Sequence, residues 1–268
     1  MSESEGSEIA EGPVAFNPAE KPDAPDLEAP PHVFEAEFDK FADEYRRIHA
    51  ANIRITGEAP EYFAEYKISD AARLAAREGF PGDLKILDFG AGVGTSTPYF
   101  RKYFPAGQIT CLDVSSQSLD IGRERFASFA DFVHFHGAEI PFPDCHFDLA
   151  FLACVLHHVP HKEHPWVMKE LYRVLRPGGL LVIFEHNPYN PLTVRAVNNC
   201  LFDENAVLVK PAKLRASVAG AGFSEPRIKF RVFFPHVLRL LRPLEPALAR
   251  VPLGGQYSLH ARKDVVQQ

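Results

Sequence analysis

An apolar run that leads into three alternating glycines is the feature that most limits what this chain can fold into. Residues 85–89 have the pattern of a short buried strand, and glycines follow at positions 90, 92 and 94. Glycine allows a tight turn and a close approach to a ligand, because it has no Cβ and tolerates positive φ. We predict that residues 94–103 form the next helix. A strand, a glycine turn and a helix N-terminus with free N–H groups are typical of a nucleotide-type pocket.

Strand and helix signals alternate along the rest of the chain. We predict strands at 108–113, 131–136, 147–154 and 180–185, and helices at 115–129 and 163–175. This alternation predicts an α/β fold with a parallel, doubly wound sheet. After Pro188 the pattern is looser, and we predict helices at 193–200, 212–221 and 236–250 and strands at 227–234 and 256–263.

The N-terminal part of the chain divides into two predicted regions. Residues 1–31 are rich in Glu, Pro, Ser and Ala and are predicted to be a disordered tail. Residues 32–80 carry aromatic side chains at helical spacing, with a break before Pro60, and are predicted to form a helical cap on the domain at 81–268. The cap aromatics either pack against the domain, or Tyr62, Tyr66 and Lys67 reach the ligand pocket.

Composition and charge restrict the class of protein. The chain of 268 residues is 46% hydrophobic and 24% charged, as is typical of a protein with a sizeable core. Its four cysteines have no paired or metal-type spacing, and we see neither a signal segment nor a membrane-spanning run. We therefore expect a reducing compartment and a cytoplasmic location.

Charge is unevenly distributed. Residues 1–44 hold 13 acidic residues and two lysines, whereas residues 210–263 hold 11 Lys and Arg against two glutamates. No aromatic–basic motif or recognition helix accompanies this basic third, so we predict no nucleic-acid partner. The apolar, basic run at 236–250 either packs its leucines in the fold or contacts a membrane or an acyl tail.

The glycine pattern differs from that of dinucleotide-binding oxidoreductases. Those proteins carry GxGxxG, whereas this chain has GxGxG, with threonine at position 95. Asp113 ends the strand 108–113, where a carboxylate can accept both ribose hydroxyls of an adenosine. The alternative is that Asp113 only caps the helix that begins near Ser115.

Several segments, in the same order, resemble the motifs of one family. Residues 86–94, ILDFGAGVG, resemble motif I of the class I S-adenosylmethionine-dependent methyltransferases (type 11), and residues 112–115 resemble their ribose-binding strand end. The segments 141–148, 156–159 and 171–179 resemble the later motifs of that family. The subgroup that this chain resembles most includes the quinone-biosynthesis methyltransferases.

This resemblance implies a fold and a cofactor site. The fold is a Rossmann-like, seven-stranded, mostly parallel sheet with an antiparallel last strand. The cofactor is S-adenosyl-L-methionine, and the positions that match the family's cofactor-binding motifs are Asp88, Gly90, Ala91, Gly92, Asp113, Val114 and Cys154. Many relatives carry an aspartate that contacts adenine before the segment 141–148. This chain lacks it, so we assign adenine recognition to Ala138 or Glu139, with His136 as an alternative.

The predicted catalytic groups are histidines at strand ends. His157 and His158 follow one central strand and His186 follows the next, at the sheet edge where open α/β folds bind ligands. A histidine there either accepts a proton from the acceptor or only orients its loop. We predict no metal site, because Pro160 separates His157 from His161 and no cysteine or carboxylate cluster completes a ligand set.

The loop 185–193 is predicted to contact the acceptor. Asn187 and Tyr189 stand between prolines at a strand's carboxyl end, where an acceptor's hydroxyls are within reach. The alternative is a rigid connector in which Asn190 caps the following helix.

The sequence therefore predicts a methyltransferase that acts on a small-molecule or lipid-like acceptor, at oxygen. Two alternatives stay open at this point. One is a nicotinamide-dependent oxidoreductase on a Rossmann fold, and the other is a non-catalytic S-adenosylmethionine-binding protein. The sequence does not indicate an oligomeric state.

Overall fold

A computed structural model describes residues 57–200 and 203–265. The predicted tail at 1–31 and the first helix of the predicted cap lie outside these residues. The division of the chain at residues 31 and 80 therefore stays a prediction.

Seven strands and seven α-helices alternate through most of the described chain. The helices are α1 (Pro60–Arg77), α2 (Thr97–Tyr103), α3 (Ser116–Phe126), α4 (His164–Val174), α5 (Pro191–Asn198), α6 (Pro211–Gly220) and α7 (Glu245–Leu248). The strands are β1 (Lys85–Phe89), β2 (Gln108–Asp113), β3 (Asp131–His134), β4 (Phe147–Ala153), β5 (Leu175–His186), β6 (Phe223–Arg231) and β7 (Gln256–Lys263). A 3₁₀ helix, His236–Leu244, precedes α7.

All seven strands form one sheet in the order β3-β2-β1-β4-β5-β7-β6. The first five strands run parallel, and β7 is antiparallel to both of its neighbours. The predicted α/β fold with an antiparallel last strand is thus confirmed. The order reverses between β1 and β4, and open sheets of this kind bind ligands beyond the carboxyl ends of the strands at such a point.

The sheet separates two hydrophobic cores. Four of the five residues of β1 are buried, because helices cover both faces and alternate side chains enter opposite cores. Helix α1 packs its buried face, with Ile68 and Ala71, into the core that also contains Phe100 and Phe151. Pro60 occupies the first turn of α1, as the sequence predicts.

Several predicted boundaries are wrong. Helix α2 begins at Thr97 rather than at residue 94, because the glycine turn occupies the intervening residues. Strand β5 begins at Leu175, which pairs with Phe147 before the register shifts so that Leu180 pairs with Leu149. Residues 176–179 therefore form a bulge within β5. Strand β6 covers 223–231 rather than 227–234.

The predicted helix at 236–250 is also wrong in form. Pro243 and Pro246 interrupt the backbone hydrogen-bond ladder, so the segment is a 3₁₀ helix followed by one short α-helical turn. No residue from His236 to Leu248 is fully buried, and of its leucines only Leu248 is even half-buried. Among the described helices, none combines the length and the apolar character that crossing a bilayer requires.

Candidate functional site

The turn after β1 packs closely against the loop after β4 on one side and borders open space on the other. Gly90 has a φ of +73°, and its N–H donates to the Leu112 carbonyl oxygen at 2.8 Å. A Cβ on Gly90 would lie 2.5 Å from Cγ2 of Val155, whereas a Cβ on Gly92 would meet no atom within 4 Å. Only glycine therefore fits at position 90, and the turn at Gly92 borders open space at the carboxyl edge of the sheet.

Asp113, at the end of β2, is fixed by backbone donors. Its Oδ2 accepts from the Gly92 N–H at 2.7 Å, and its Oδ1 accepts from the Ser115 N–H at 2.9 Å. Burial raises the pKa of Asp113, while these hydrogen bonds oppose that shift. Ser115 caps α3 through its own hydroxyl, which accepts from the Ser118 N–H at 3.1 Å, so Asp113 is not needed for that cap.

Asp88, on β1, differs from Asp113 in its hydrogen bonding. It is buried, and its Oδ2 has no hydrogen-bond partner. Burial and the nearby Asp113 raise the pKa of Asp88 to about 8, against the opposing influence of the Lys67 ammonium. A buried carboxyl oxygen without a partner costs folding free energy. This oxygen is therefore suited to accept a hydrogen bond from a bound ligand.

Cys154 follows β4 and is in contact with the helix that precedes the sheet. Its φ is +59°, and Lys67 Nζ of α1 donates to its Sγ at 3.4 Å. Burial raises the pKa of the Cys154 thiol, but Lys67 and His186 outweigh burial and lower the pKa to about 6. Gln256 Nε2 lies 3.8 Å from the same sulfur, and Gln256 Oε1 accepts from the Tyr66 hydroxyl.

The Glu185 carboxylate, near the end of β5, holds the loop that follows β4. Its Oε1 accepts from the N–H groups of Val155 (3.1 Å) and Leu156 (2.7 Å), and its Oε2 lies 2.6 Å from His157 Nδ1. Burial disfavours a charged His157, but Glu185 outweighs burial and raises the pKa of His157 to about 10. At this pKa the buried His157 is an imidazolium near pH 7, and its bond to Glu185 holds the loop after β4.

A second carboxylate, Asp203, faces both histidines. Asp203 Oδ1 is 3.4 Å from Nε2 of His157 and 3.4 Å from Nε2 of His158. Burial opposes the shift, but His157 lowers the pKa of Asp203 to about 2. Burial, and next the charge of His157, lower the pKa of His158 to about 3, so His158 is neutral near pH 7.

The same three side chains are spaced as metal ligands can be. One atom each of His157, His158 and Asp203 lies within 4.8 Å of the others. A protonated His157 bonded to Glu185 has no lone pair to offer, so these side chains form an ion-pair network of one imidazolium between two carboxylates. The absence of a metal stays a prediction.

Of the predicted histidines, His186 lies nearest to the sulfur of Cys154. His186 contributes to the lowered pKa of the Cys154 thiol, and the His186 ring centroid is 5.1 Å from that of His157. His186 is partly exposed, in contrast to His157. The structure therefore brings all three histidines together, and His158 and His186 are more accessible to solvent than His157.

The loop 187–190 is tied to the turn before β7. Asn187 Nδ2 donates to the carbonyl oxygens of Gly254 (2.7 Å) and Pro252 (3.1 Å), and its Oδ1 accepts from the Tyr189 N–H. Asn190 caps α5, since its Oδ1 accepts from two N–H groups of the first turn. The amide of Asn187 is thus engaged in structure, and Tyr189 is exposed on the outer surface.

Residues on the predicted adenine side lie beside β2 and β3. The Val114 carbonyl oxygen lies 3.0 Å from His134 Nε2, and a Cβ on Gly137 would lie 3.9 Å from Val114 Cγ1. Ala138 follows in this turn and is half-buried. The Glu139 side chain is exposed and lies 3.6 Å from the Arg173 guanidinium, so it is not directed at Val114.

These features define a class of site. A glycine turn that borders open space, a fixed carboxylate at the end of β2 and a buried carboxyl without a donor suit a nucleotide-type cofactor that carries a cationic group. The geometry fits S-adenosylmethionine, which has ribose hydroxyls and an amino group.

Comparison with known proteins specifies the family. Residues 87–183 match the family described as "Methyltransferase domain". A ubiquinone/menaquinone biosynthesis C-methyltransferase UbiE from Ectopseudomonas mendocina is 34% identical over 129 residues, which are 46% of this chain and 49% of that protein. Residues 87–183 are therefore a methyltransferase domain by similarity, and S-adenosylmethionine is the cofactor of this domain.

The overlap with these relatives is partial. UbiE from Pseudomonas putida is 35% identical over 42% of this chain and 46% of that protein, so the chain spans about half the length of the curated relatives it matches. A solved methyltransferase from Thermotoga maritima covers 86% of this chain and 99% of its own, at 18% identity and a TM-score of 0.61. The structure of human N-acetylserotonin methyltransferase bound to the cofactor covers 86% of this chain and 57% of its own chain, at 18% identity and a TM-score of 0.56. These structures support the fold alone.

Sequence reasoning missed three residues of the site. Glu185 is in an apolar strand, Asp203 in a loop after α5 and Gln256 at the start of β7, and none had been assigned a role. A glutamate that ends an otherwise apolar strand was the available signal for Glu185, because a buried charge needs a partner. Nothing local marks Asp203 or Gln256, since their partners are distant in sequence.

We predict that cofactor binding is linked to proton release from Asp88. A cationic amino group favours the ionised carboxyl, whose pKa is about 8 without it, so binding should release a proton and tighten as pH rises from 7 to 8. Calorimetry at pH 7 in two buffers of different ionisation enthalpy measures that proton. Asp88→Asn should abolish the release and weaken binding about 10- to 100-fold. Equal proton release from wild type and Asp88→Asn would contradict the assignment.

We predict that the buried ion pair makes stability depend on pH. The pKa of His157 is raised on folding, so its contribution to the free energy of unfolding is complete below pH about 6.5 and is lost as pH rises towards 10. His157→Gln should cost about 3–5 kcal/mol at pH 6.5, and this cost should shrink by pH 9.5. Urea unfolding at these pH values measures it, with the exposed His136→Gln as control. Parallel pH curves for wild type and His157→Gln would disprove the pairing.

Proposed function

We propose that the protein transfers a methyl group from S-adenosylmethionine to a small-molecule or lipid-like acceptor that carries an acidic hydroxyl. The observation that carries this proposal is the buried, unpartnered Asp88 oxygen beside the glycine turn of a methyltransferase domain. The cofactor supplies a methyl group that is already activated on a sulfonium. The protein must mainly align the acceptor with that methyl group and exclude water.

The roles of the cofactor-binding residues follow from their chemistry. Asp113 holds the ribose hydroxyls, and the backbone at Gly90, Ala91 and Gly92 lets the cofactor approach closely. Asp88 accepts from the amino group, and the buried Lys67 ammonium, beside Cys154, is suited to the carboxylate of the same amino acid moiety. Val114 and the Ala138 backbone face the adenine.

Proton removal is assigned to His186. His157 is already protonated and buried between two carboxylates, and His158 is neutral with a pKa near 3, too low to hold a proton at neutral pH. His186 is partly exposed, is the last residue of β5 at the carboxyl edge, and contributes to the lowered pKa of Cys154. His157 and His158 position the loop after β4. Tyr62 and Tyr66, on α1, line one side of the acceptor site.

The acceptor atom is proposed to be oxygen, because a hydroxyl that loses its proton to histidine is itself a nucleophile. Carbon is the second candidate, and its support is that the 34% identical relatives are named C-methyltransferases. The same base serves both, since an ionised phenol or enol is nucleophilic at oxygen and at the neighbouring ring or chain carbon.

We predict that Asp113→Ala weakens cofactor binding at least about 10-fold, because the ribose loses a charged acceptor. Calorimetry with S-adenosylmethionine measures the change. Asp120→Ala is the matched control, since Asp120 is an exposed aspartate on the next helix. Equal affinity of Asp113→Ala and wild type would refute the ribose assignment. Thermal protection by NADH but not by S-adenosylmethionine would favour the oxidoreductase alternative.

We predict that a panel of phenolic and enolic acceptors is methylated and that His186→Ala lowers kcat about 100-fold or more while cofactor affinity is retained. Labelled methyl transfer measures the rate, and NMR of the product distinguishes O–CH₃ from C–CH₃. His134→Ala is the control, because this histidine lies on the adenine side. Cofactor binding without methylation of any acceptor would favour the non-catalytic alternative.

A further inference from the structure

The segment between β6 and β7 presents apolar side chains to solvent. Val237 and Leu240 are 84% and 88% exposed, and Leu238, Leu241, Leu244 and Leu253 are exposed as well. Single exposed apolar residues are ordinary, but a contiguous run of them marks an interaction surface. Its conformation is fixed rather than loose, because Glu58 binds both Arg242 and His236.

A second pair of exposed apolar residues extends this surface. Asn190 Nδ2 donates to the Leu253 carbonyl oxygen at 2.7 Å, which holds the loop 187–192 against the turn before β7. Tyr189 and Leu192 are both exposed beside this contact. We call the surface made by residues 236–253 together with Tyr189 and Leu192 the apolar edge.

The charges within the apolar edge and beside it are mostly positive. Arg239 and Arg250 are exposed within it, and Arg195 is exposed on the adjacent helix α5. Glu245 is the one acidic residue of 236–253, and its Oε1 accepts from the N–H groups of Phe233 and Phe234. The outward surface thus combines leucines with arginines, as is typical of interfacial segments on anionic lipid.

The apolar edge lies where the candidate site opens. His186 pairs with Gln256, so the chain just before β7 is at the same end of the sheet as Cys154 and His186. A chain of contacts joins the site to the surface. Gln256 contacts both Cys154 and the Tyr66 hydroxyl, the Tyr66 and Tyr62 ring centroids are 5.8 Å apart, and the Arg242 guanidinium lies 4.4 Å from the Tyr62 ring centroid.

We propose that the apolar edge docks the protein on the surface of an anionic lipid bilayer. The leucines enter the boundary between headgroups and acyl chains, and the arginines contact lipid phosphates. A bilayer meets both demands without a shape-matched groove, which a folded protein partner would need. This inference deepens the proposed function, on which it rests for the lipid-like acceptor, because it places the opening of the site against the membrane.

Vesicle co-sedimentation of the full chain tests the proposal. We expect binding to phosphatidylcholine vesicles that contain phosphatidylglycerol, weaker binding to phosphatidylcholine alone, and loss of binding in high salt. Leu240→Glu and Arg239→Glu should each lower the partition coefficient about 10-fold or more. Val265→Glu and Arg215→Glu are the matched controls, because Val265 is 67% exposed beyond the opposite end of β7 and Arg215 is exposed on α6.

Several outcomes would overturn the proposal. These are no binding to either vesicle, an equal loss in Val265→Glu, and a dimer in gel filtration that Leu240→Glu dissociates, which would assign the surface to a second copy of the chain. Unchanged cofactor affinity in Leu240→Glu verifies that the variant is folded. Vesicle binding without methylation of any acceptor would refute the proposed function alone, and methylation without vesicle binding would refute only the docking surface.

Discussion

The Glu185 carboxylate is the constraint on which the arrangement of the site depends. It binds two backbone N–H groups and the His157 imidazole of the loop after β4, so the ends of β4 and β5 are held as one unit. Val155, one of the residues it holds, packs against the glycine turn so closely that position 90 must be glycine. The same bonds thereby set the spacing between the cofactor turn and the histidines.

Two buried carboxyls, on the two strands that flank β4, illustrate how hydrogen-bond partners decide protonation. Three donors contact Glu185. The pKa of Glu185 is therefore below its ordinary value, although burial opposes this lowering. Asp88 has one oxygen without any donor, and its pKa rises to about 8. Since both are buried at similar depth, the difference lies in their partners. The unpartnered oxygen of Asp88 supports the proposal that this residue accepts from the amino group of the cofactor.

The sequence predicted the part of the fold that local pattern determines. Strands β2 and β7 match their predicted bounds, because each is an extended run between clear breaks. The single helix predicted for 236–250 is wrong because two prolines interrupt it, and of the two predicted surroundings of its leucines, burial requires a core that faces the segment. Lys67 was anticipated as one option, but Glu185, Asp203 and Gln256 have roles that only contacts between distant segments create.

The cofactor half and the proposed acceptor half of the site differ in how they are assembled. This difference explains why the sequence predicts the first in more detail than the second. The cofactor half is built from consecutive turns after β1 and β2, and backbone hydrogen bonds between them fix its geometry. The proposed acceptor half draws single side chains from α1, the loops after β4 and β5, and the start of β7. Side chains on separate segments can change one at a time without disturbing the turns. Acceptor choice is therefore free to vary in this fold while the methyl donor stays the same.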